Sequence, residues 1–583
     1  MRRGRQVALM AALVNPGSRF VGRVRLIALG FFLATVIIIA RLYFLQIMHG
    51  ADYAQKADRQ FTTPGAALFS RGSIYFTAKD GTEVAAATVA DGVSVAVLPR
   101  KITDAEATWS AIKDVAQISY DDYLSRVKKP GAQYVAVAKH LPAAVGEQLK
   151  KEKIPGVEIE QDRWRFYPGG PLAAQEIGFV AYNGDALEGR YGLESYYDSI
   201  LARQDSDLYA NFFVELFTGL GNALSGDSQG DIITTIEPSV QAELERQLAA
   251  YNAEWHPGSA GAVIMDPKTG AIYAMAVTPG FNLNDFGKET DPRVFGNPMV
   301  QNVYEMGSII KPLTMAAGLD SGVITPESTY NDVGCITVNT AKVCNFDGKA
   351  RGTVPMQQIL SQSLNLGASF IATSLGPDRM REYFLDRYKL GGETGIDLPA
   401  EAAGFMKNLQ SPRELEYDTA AFGQGIGMTP IETVRALSAL GNGGYLVTPH
   451  LAAAIRGKSG LTRELGWTQG EKILADSTSE EVSRMLTMVV DTALVNGKIK
   501  LEHWSVAAKT GTAQIANPAG GGYYTDRYLH SFFGYFPSYN ARFIIFLYSF
   551  EPVGAQYASQ TWAGPFHELT QFLINYYNVP PDR

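Results

Sequence analysis

Tyr304-Glu305-Met306-Gly307-Ser308-Ile309-Ile310-Lys311-Pro312-Leu313-Thr314-Met315-Ala316-Ala317-Gly318-Leu319 is the stretch on which the fold turns. Gly307 gives way to a helix-like run, which predicts a helix starting near Ser308. Pro312 fits that start, because first-turn N–H groups have no helical partner. Ser308 and Lys311, three apart, then share one face of the first turn. Backbone N–H groups and the helix dipole there favour developing negative charge. A serine hydroxyl is a poor nucleophile at neutral pH unless a base lies beside it. Lysine can be that base only if burial or a second cation depresses its pKa.

The pattern S-x-x-K is weak alone, and it recurs at Ser110/Lys113 and Ser125/Lys128. Two further strings follow Ser308 in order: Ser363-Leu364-Asn365, 55 residues on, and Lys509-Thr510-Gly511, another 146 on. Each has its own double, at Ser538/Asn540 and at Lys268-Thr269-Gly270. In isolation Ser363 reads as a helix cap and Lys509 as a solvated strand end. Their ordered occurrence points instead to one serine acyl-transfer site. Lys509 supplies the cation beside Lys311, Ser363 relays a proton, and Asn365 holds a substrate amide. A strand carrying Thr510, Gly511 and Thr512 accepts an extended peptide by strand addition. Gly511 leaves that edge uncrowded, and the two threonine hydroxyls are offered to a carboxylate. No metal and no cofactor is expected.

Around this set the chain is long, 583 residues with 46% hydrophobic and 19% charged content, which predicts at least two domains. The net charge is −8, yet the first 50 residues hold seven arginines and no acid. The remainder is therefore distinctly acidic, which argues against a nucleic-acid partner. Residues 26–40 carry no charge, and the apolar run resumes after Arg41 to Met48. That is long enough to span a bilayer once. Arginines 2, 3, 5, 19, 23 and 25 precede it and keep the N-terminus cytoplasmic, exporting the rest. A cleaved signal peptide is the rival reading, but no small-x-small cleavage site follows. The glycine- and serine-rich stretch 219–230 reads as a domain boundary. From about 230 the pattern is α+β, with strands at 261–266, 271–277, 505–509 and 543–550.

Only two cysteines occur, Cys335 and Cys344, which excludes a four-cysteine zinc site. A hairpin turning at Asn339-Thr340 sets 338 opposite 341 and 335 opposite 344, on a non-hydrogen-bonded pair where side chains lie closest. That register predicts a cross-strand disulfide, with two free thiols as the alternative.

Beyond these residues the chain resembles the class B penicillin-binding proteins. Phe69-Ser70-Arg71-Gly72-Ser73-Ile74-Tyr75 with Lys79-Asp80-Gly81 is similar to that family's N-terminal box. Arg165-Phe166-Tyr167-Pro168 and Gly192-Leu193-Glu194 match its pedestal motifs. Asp231–Glu237, Phe422-Gly423-Gln424-Gly425, Met428-Thr429-Pro430 and His530–Gly534 fit later segments. Two departures stand out: Ile309-Ile310 where Thr-Phe is usual, and Tyr75–Ala78 where a D-R-N-like run is usual.

The resemblance implies the penicillin-recognising serine transpeptidase fold, an antiparallel sheet covered by helices, with an N-terminal α/β pedestal and one transmembrane helix. It implies a cytoplasmic tail at 1–25, an anchor at 26–48, a non-catalytic pedestal at 49–225 and a transpeptidase domain at 226–583. The expected activity is D,D-transpeptidation of peptidoglycan stem peptides through an acyl-enzyme on Ser308, with β-lactams as inhibitors. Backbone N–H groups of Ser308 and Thr512 are the implied oxyanion hole. Too little chain precedes the pedestal for a glycosyltransferase, so a polytopic membrane glycan polymerase and other wall-synthesis proteins are expected partners. The run Pro171–Val180 resembles division-type more than elongation-type members. A D,D-carboxypeptidase, a β-lactamase or a β-lactam-binding sensor are the competing functions. The anchor and large pedestal argue against the hydrolases, as does the lack of a Glu-x-x-Leu-Asn string between 363 and 509.

Overall fold

The computed structural model describes residues 69–583 apart from 185, 204–228 and 468–469, and Thr35 alone before them. Apart from Thr35, the expected anchor at 26–48 lies outside the described residues, and so does the proposed boundary at 225/226. Among the described residues no helix is long and apolar enough to cross a membrane. The described chain divides into two compact units, one of 94–137 with 153–160 and one of 69–93, 138–152 and 161–583.

The smaller unit carries two short helices, each started by a side-chain cap. Asp104 accepts from the N–H groups of Glu106 and Ala107 ahead of Ala105–Ala116, and Ser119 accepts from Asp122 ahead of Tyr120–Val127. Trp109 and Tyr120 join the two, their ring centres 5.2 Å apart.

The larger unit is built on a five-stranded antiparallel sheet. Its strands are β1 (Ser259–Met265), β2 (Ile272–Thr278), β3 (Ala507–Ala516), β4 (Tyr523–Phe536) and β5 (Phe543–Phe550), in the order β3-β4-β5-β1-β2. β5, Phe-Ile-Ile-Phe-Leu-Tyr-Ser-Phe, is apolar on both faces and buried from Phe543 to Ser549, as a central strand between two helical layers must be. One layer is α1 (Pro238–Trp255) with α4 (Ala558–Tyr577). Tyr251 of α1 stacks on Trp562 of α4 at 3.6 Å, and Phe566 of α4 stacks on Phe532 of β4 at 4.5 Å. α1 begins at Pro238, where a missing N–H costs nothing, and Glu237 caps it through Val240 N–H at 2.7 Å. The other layer contains α2 (Lys311–Asp320), which is buried all round from Lys311 to Gly318, and α3 (Asn365–Arg381), broken at Gly376. A helix enclosed on every side needs no polar face, and α2 has none before Asp320 except Lys311 and Thr314. The consequence is that Lys311 is buried by the fold itself.

A second sheet in this unit joins strands far apart in sequence. Ile74–Thr77 pairs parallel to Gly230–Thr234 and antiparallel to residues 83–87, while Gly230–Thr234 also pairs with Ala452–Gly457. Three of the strings that carry the family resemblance converge beside it. Glu194 takes Arg71 Nε at 2.6 Å on one oxygen and Arg165 Nε at 2.5 Å on the other, and Arg165 also donates to Gly72 O at 2.7 Å. Glu194 is fully buried, so removing either arginine would leave a poorly compensated charge inside the protein.

Two local differences from the sequence reading bear on function. The helical run begins near Ser308 as expected, but its first turn, Gly307–Ile310, is 3₁₀ and α2 itself starts at Lys311. The strand that carries Lys509, β3, does not end there but runs on to Ala516, with Thr510, Gly511 and Thr512 opposite Phe532, Ser531 and His530. Small residues from Ala507 to Gly511 blur the alternation that would have marked its true length.

Candidate active site

Ser308, Lys311, Ser363, Asn365 and Lys509 meet at one point, from three separate stretches of the sequence. A 3₁₀ turn has three residues per turn, so positions three apart eclipse. Ser308 Oγ and Lys311 Nζ accordingly lie 2.9 Å apart. Gly307 makes the turn possible with φ +66°, a conformation that a Cβ disfavours. Ser363 sits between two helices in a left-handed conformation, φ 55°, which presents both its carbonyl and its hydroxyl to Lys311. Asn365 is the first residue of α3.

Lys311 Nζ has four polar neighbours: Ser363 O at 2.6 Å, Asn365 Oδ1 at 2.8 Å, Ser308 Oγ at 2.9 Å and Ser363 Oγ at 3.1 Å. Two of these, the carbonyl and the amide oxygen, can only accept. A neutral amine has two N–H groups for them and one lone pair, and the lone pair is the natural destination of the Ser308 O–H. Burial, and then the adjacent Lys509, hold the Lys311 pKa well below the ordinary lysine range, which favours that neutral form. Lys509 lies on the far side of Ser363, its Nζ 3.1 Å from Ser363 Oγ and donating to Thr510 O at 2.8 Å. It is 3% exposed rather than solvated, and burial brings its pKa down to about 7. The polar atoms thus form an unbroken chain, Ser308 Oγ, Lys311 Nζ, Ser363 Oγ, Lys509 Nζ.

Several supports of this chain are backbone atoms, which no motif announces. Asn365 Nδ2 donates to Cys344 O at 2.8 Å, so its amide orientation is fixed from both ends. Cys344 belongs to the hairpin Cys335–Val338/Ala341–Cys344, paired Val338 to Ala341 and Cys335 to Cys344, with the two sulfurs bonded. Asn345, the next residue, donates to Asp332 and accepts from Leu366 N–H, which ties the hairpin to the start of α3.

β3 forms the opposite wall. Among the described residues it pairs with β4 only, so its other edge is unpaired in the sheet. Gly511 serves packing rather than an open edge: a Cβ there would lie 2.3 Å from Ser531 Oγ and 2.7 Å from Met306 O. Ser531 Oγ donates to Met306 O at 2.9 Å, which locks the strand pair to the segment entering Ser308. Thr512 Oγ1 accepts from Ala558 N–H at 3.0 Å and keeps its own proton available for a ligand. Ser308, Thr510 and Thr512 are partly exposed, whereas Lys311 and Lys509 are buried. Ser308 is therefore open to a ligand while Lys311 is shielded from water.

The doubles of the three motifs are occupied elsewhere. Ser125 Oγ donates to Asp122 O within its own helix. Lys268 lies on the turn between β1 and β2 and bonds Asn540, and Ser538 is buried against Thr487.

The penicillin binding protein transpeptidase domain matches residues 260–568 of this sequence, and the penicillin-binding protein dimerisation domain matches 69–207. The chain belongs to the penicillin-binding protein transpeptidase family. Among curated relatives of this penicillin-binding protein is stage V sporulation protein D of Bacillus subtilis, 27% identical over 91% of this chain and 82% of that one. Another is the peptidoglycan D,D-transpeptidase FtsI of Escherichia coli, 24% identical over 94% of this chain and 91% of that one. Of solved structures, penicillin binding protein 2X from Streptococcus thermophilus superposes with TM-score 0.70 at 22% identity, covering 88% of this chain and 81% of that one. Penicillin binding protein 3 from Mycobacterium tuberculosis, in its complex with aztreonam, gives 0.67 at 23% identity over 88% and 98%. These likenesses establish the penicillin-binding protein fold across the described residues.

Proposed function

We propose that this penicillin-binding protein is a peptidoglycan D,D-transpeptidase that cross-links stem peptides through Ser308, and that it acts in septal wall synthesis. One observation carries the mechanism: the Ser308 hydroxyl lies 2.9 Å from a buried lysine nitrogen whose other contacts leave a lone pair for it. Ser308 Oγ attacks the carbonyl of the penultimate D-alanine while its proton passes to Lys311 Nζ. The carbonyl oxygen becomes an oxyanion received by the N–H groups of Ser308 and Thr512. The C–N bond then breaks, and the departing D-alanine amine takes a proton delivered from Lys311 through Ser363. An acceptor amine attacks the resulting ester, loses a proton into the same chain and returns it to Ser308 Oγ. Thr510 and Thr512 receive the donor's terminal carboxylate, and Asn365 holds the amide ahead of the scissile bond. A β-lactam opens on Ser308 in the same way, but its amine stays tethered and the acyl-enzyme persists.

In this reading residues 26–48 anchor the chain in the cytoplasmic membrane, with 1–25 inside and the rest outside. Residues 49–225 are a pedestal and 226–583 the catalytic domain. The septal assignment rests on the run Pro171–Val180, and the partners are a polytopic glycan polymerase and other wall-synthesis proteins.

The test supplies a stem-peptide donor ending in D-Ala-D-Ala together with an acceptor amine. The expected products are one released D-alanine per new donor–acceptor amide. D-alanine release with no amide product, at saturating acceptor, contradicts transpeptidation in favour of hydrolysis.

A further inference from the structure

The short helix Ala174–Ile177 closes one side of a cavity of about 160 Å³ whose other walls are α1 and β2. Pro171, Ala249 and Gly280 line it and are exposed, so the cavity opens to solvent on that side. Glu176 lines it too and is fully buried. Its carboxyl is half partnered. Oε1 accepts from Asn297 Nδ2 at 2.9 Å, and Oε2 takes no hydrogen bond among the described residues. A carboxylate oxygen needs a donor there, and a carboxylic acid needs an acceptor. A water or an ion completes most such buried atoms.

Two more oxygen donors share the cavity. Glu245 spends Oε1 on Ala173 N–H at 2.7 Å and on Gln241 Nε2 at 2.8 Å, which leaves Oε2. Gln175 spends Nε2 on Pro279 O and Val294 O, which leaves Oε1. These bonds hold the side chains in place from outside the cavity. No lysine, arginine or histidine lines it. Burial, and then the Glu245 charge, push the Glu176 carboxyl up to about 8. A doubly charged cation offsets both carboxylates and sends the Glu176 proton to solvent. Carboxylate and amide oxygens are ligands for hard cations. Ca²⁺ takes them in flexible geometry with water completing its shell, whereas Mg²⁺ demands a near-ideal octahedron. A cavity open on one side suits the first.

We propose that the cavity between Glu176 and Glu245 is a Ca²⁺ site, liganded by Glu176, Glu245 and Gln175 with water from the open side. The ion ties the helix Ala174–Ile177 to α1, and through Asn297 to the segment that leads to Ser308. It takes no part in acyl transfer, because none of its ligands is among the polar neighbours of Lys311 or Lys509.

The experiment is equilibrium dialysis of the full-length protein, stripped with EDTA, against radioactive calcium. It is run at a pH of about 8, where the Glu176 proton leaves readily. The expected result is one Ca²⁺ per chain with half-saturation between about 0.1 and 1 mM, the range of extracellular calcium modules. Glu176→Gln keeps the size and the Asn297 contact but not the charge, and should weaken binding at least about tenfold. Glu245→Gln should do the same. Penicillin acylation by either variant should stay within about twofold of wild type, which shows that each is folded. A wild type that binds no calcium at about 5 mM overturns the site. Binding that Glu176→Gln leaves unchanged overturns it as well. If Glu176→Gln loses both calcium and acylation, Glu245→Gln decides. Calcium lost with acylation kept supports the site, and calcium kept overturns it.

Discussion

Lys311→Ala is expected to reduce the rate constant for penicillin acylation by at least about 10³-fold, the range of a lost general base. That corresponds to about 4 kcal/mol of transition-state stabilisation. In the proposed mechanism alanine removes the lone pair that would receive the Ser308 proton, and it leaves Ser363 O and Asn365 Oδ1 without the Lys311 donor. The loss should fall on chemistry rather than stability, because the variant also removes an amine that is costly to bury. Stopped-flow acylation with a chromogenic β-lactam, beside a thermal melt, separates the two. A variant within tenfold of wild type would mean that another group is the base.

The pH dependence has a definite sign. The folded-state pKa of Lys311 is depressed by burial and then by Lys509. The amine becomes competent as pH rises through that value, so acylation should climb with pH on its acid limb. Lys509→Ala deletes the neighbouring positive charge, which raises the Lys311 pKa and moves the acid limb to higher pH. A limb that stays in place would show that Lys509 does not act on Lys311 electrostatically.

Gly423→Ala should be the most damaging single methyl near the site. Gly423 has φ +80°, and a Cβ there would lie 2.3 Å from Gly307 O and 2.8 Å from Gly307 N, both backbone atoms. Gly423 O also accepts from Gly307 N–H at 3.1 Å. The left-handed backbone costs a β-carbon about 1–2 kcal/mol, and overpacking against backbone adds about 1–3 kcal/mol. The expected outcome is a lower denaturation midpoint together with slower acylation, since Gly307 is bonded to Ser308. An unchanged midpoint would show that the two loops separate freely, against the geometry of the 3₁₀ turn.

The side chains of this site were readable in the sequence because catalysis demands particular residue types in a particular order. Ser308, Ser363 and Lys509 are 55 and 146 residues apart, and that order, with the glycine and helix start beside Ser308 and the strand that carries Lys509, distinguished them from their doubles. What escaped was carried by backbone. The carbonyls of Ser363 and Cys344 orient Lys311 and Asn365, and a carbonyl leaves no trace in residue identity. The left-handed conformation of Ser363 is equally silent, since it is imposed by tertiary contacts on a residue that usually avoids it. Periodicity located most strands but lost the end of β3, where small residues carry no face preference. The Cys335–Cys344 register was legible because a four-residue strand on either side of a short turn has only one close pairing.

The central claim is that Ser308, among all the serines, is the residue acylated. Incubating the protein with benzylpenicillin, digesting it and mapping the adduct by mass spectrometry tests this most directly. The expected result is one penicilloyl group per chain, on the peptide containing Ser308, and none in Ser308→Ala. An adduct on any other residue, or an equal adduct in Ser308→Ala, would contradict it.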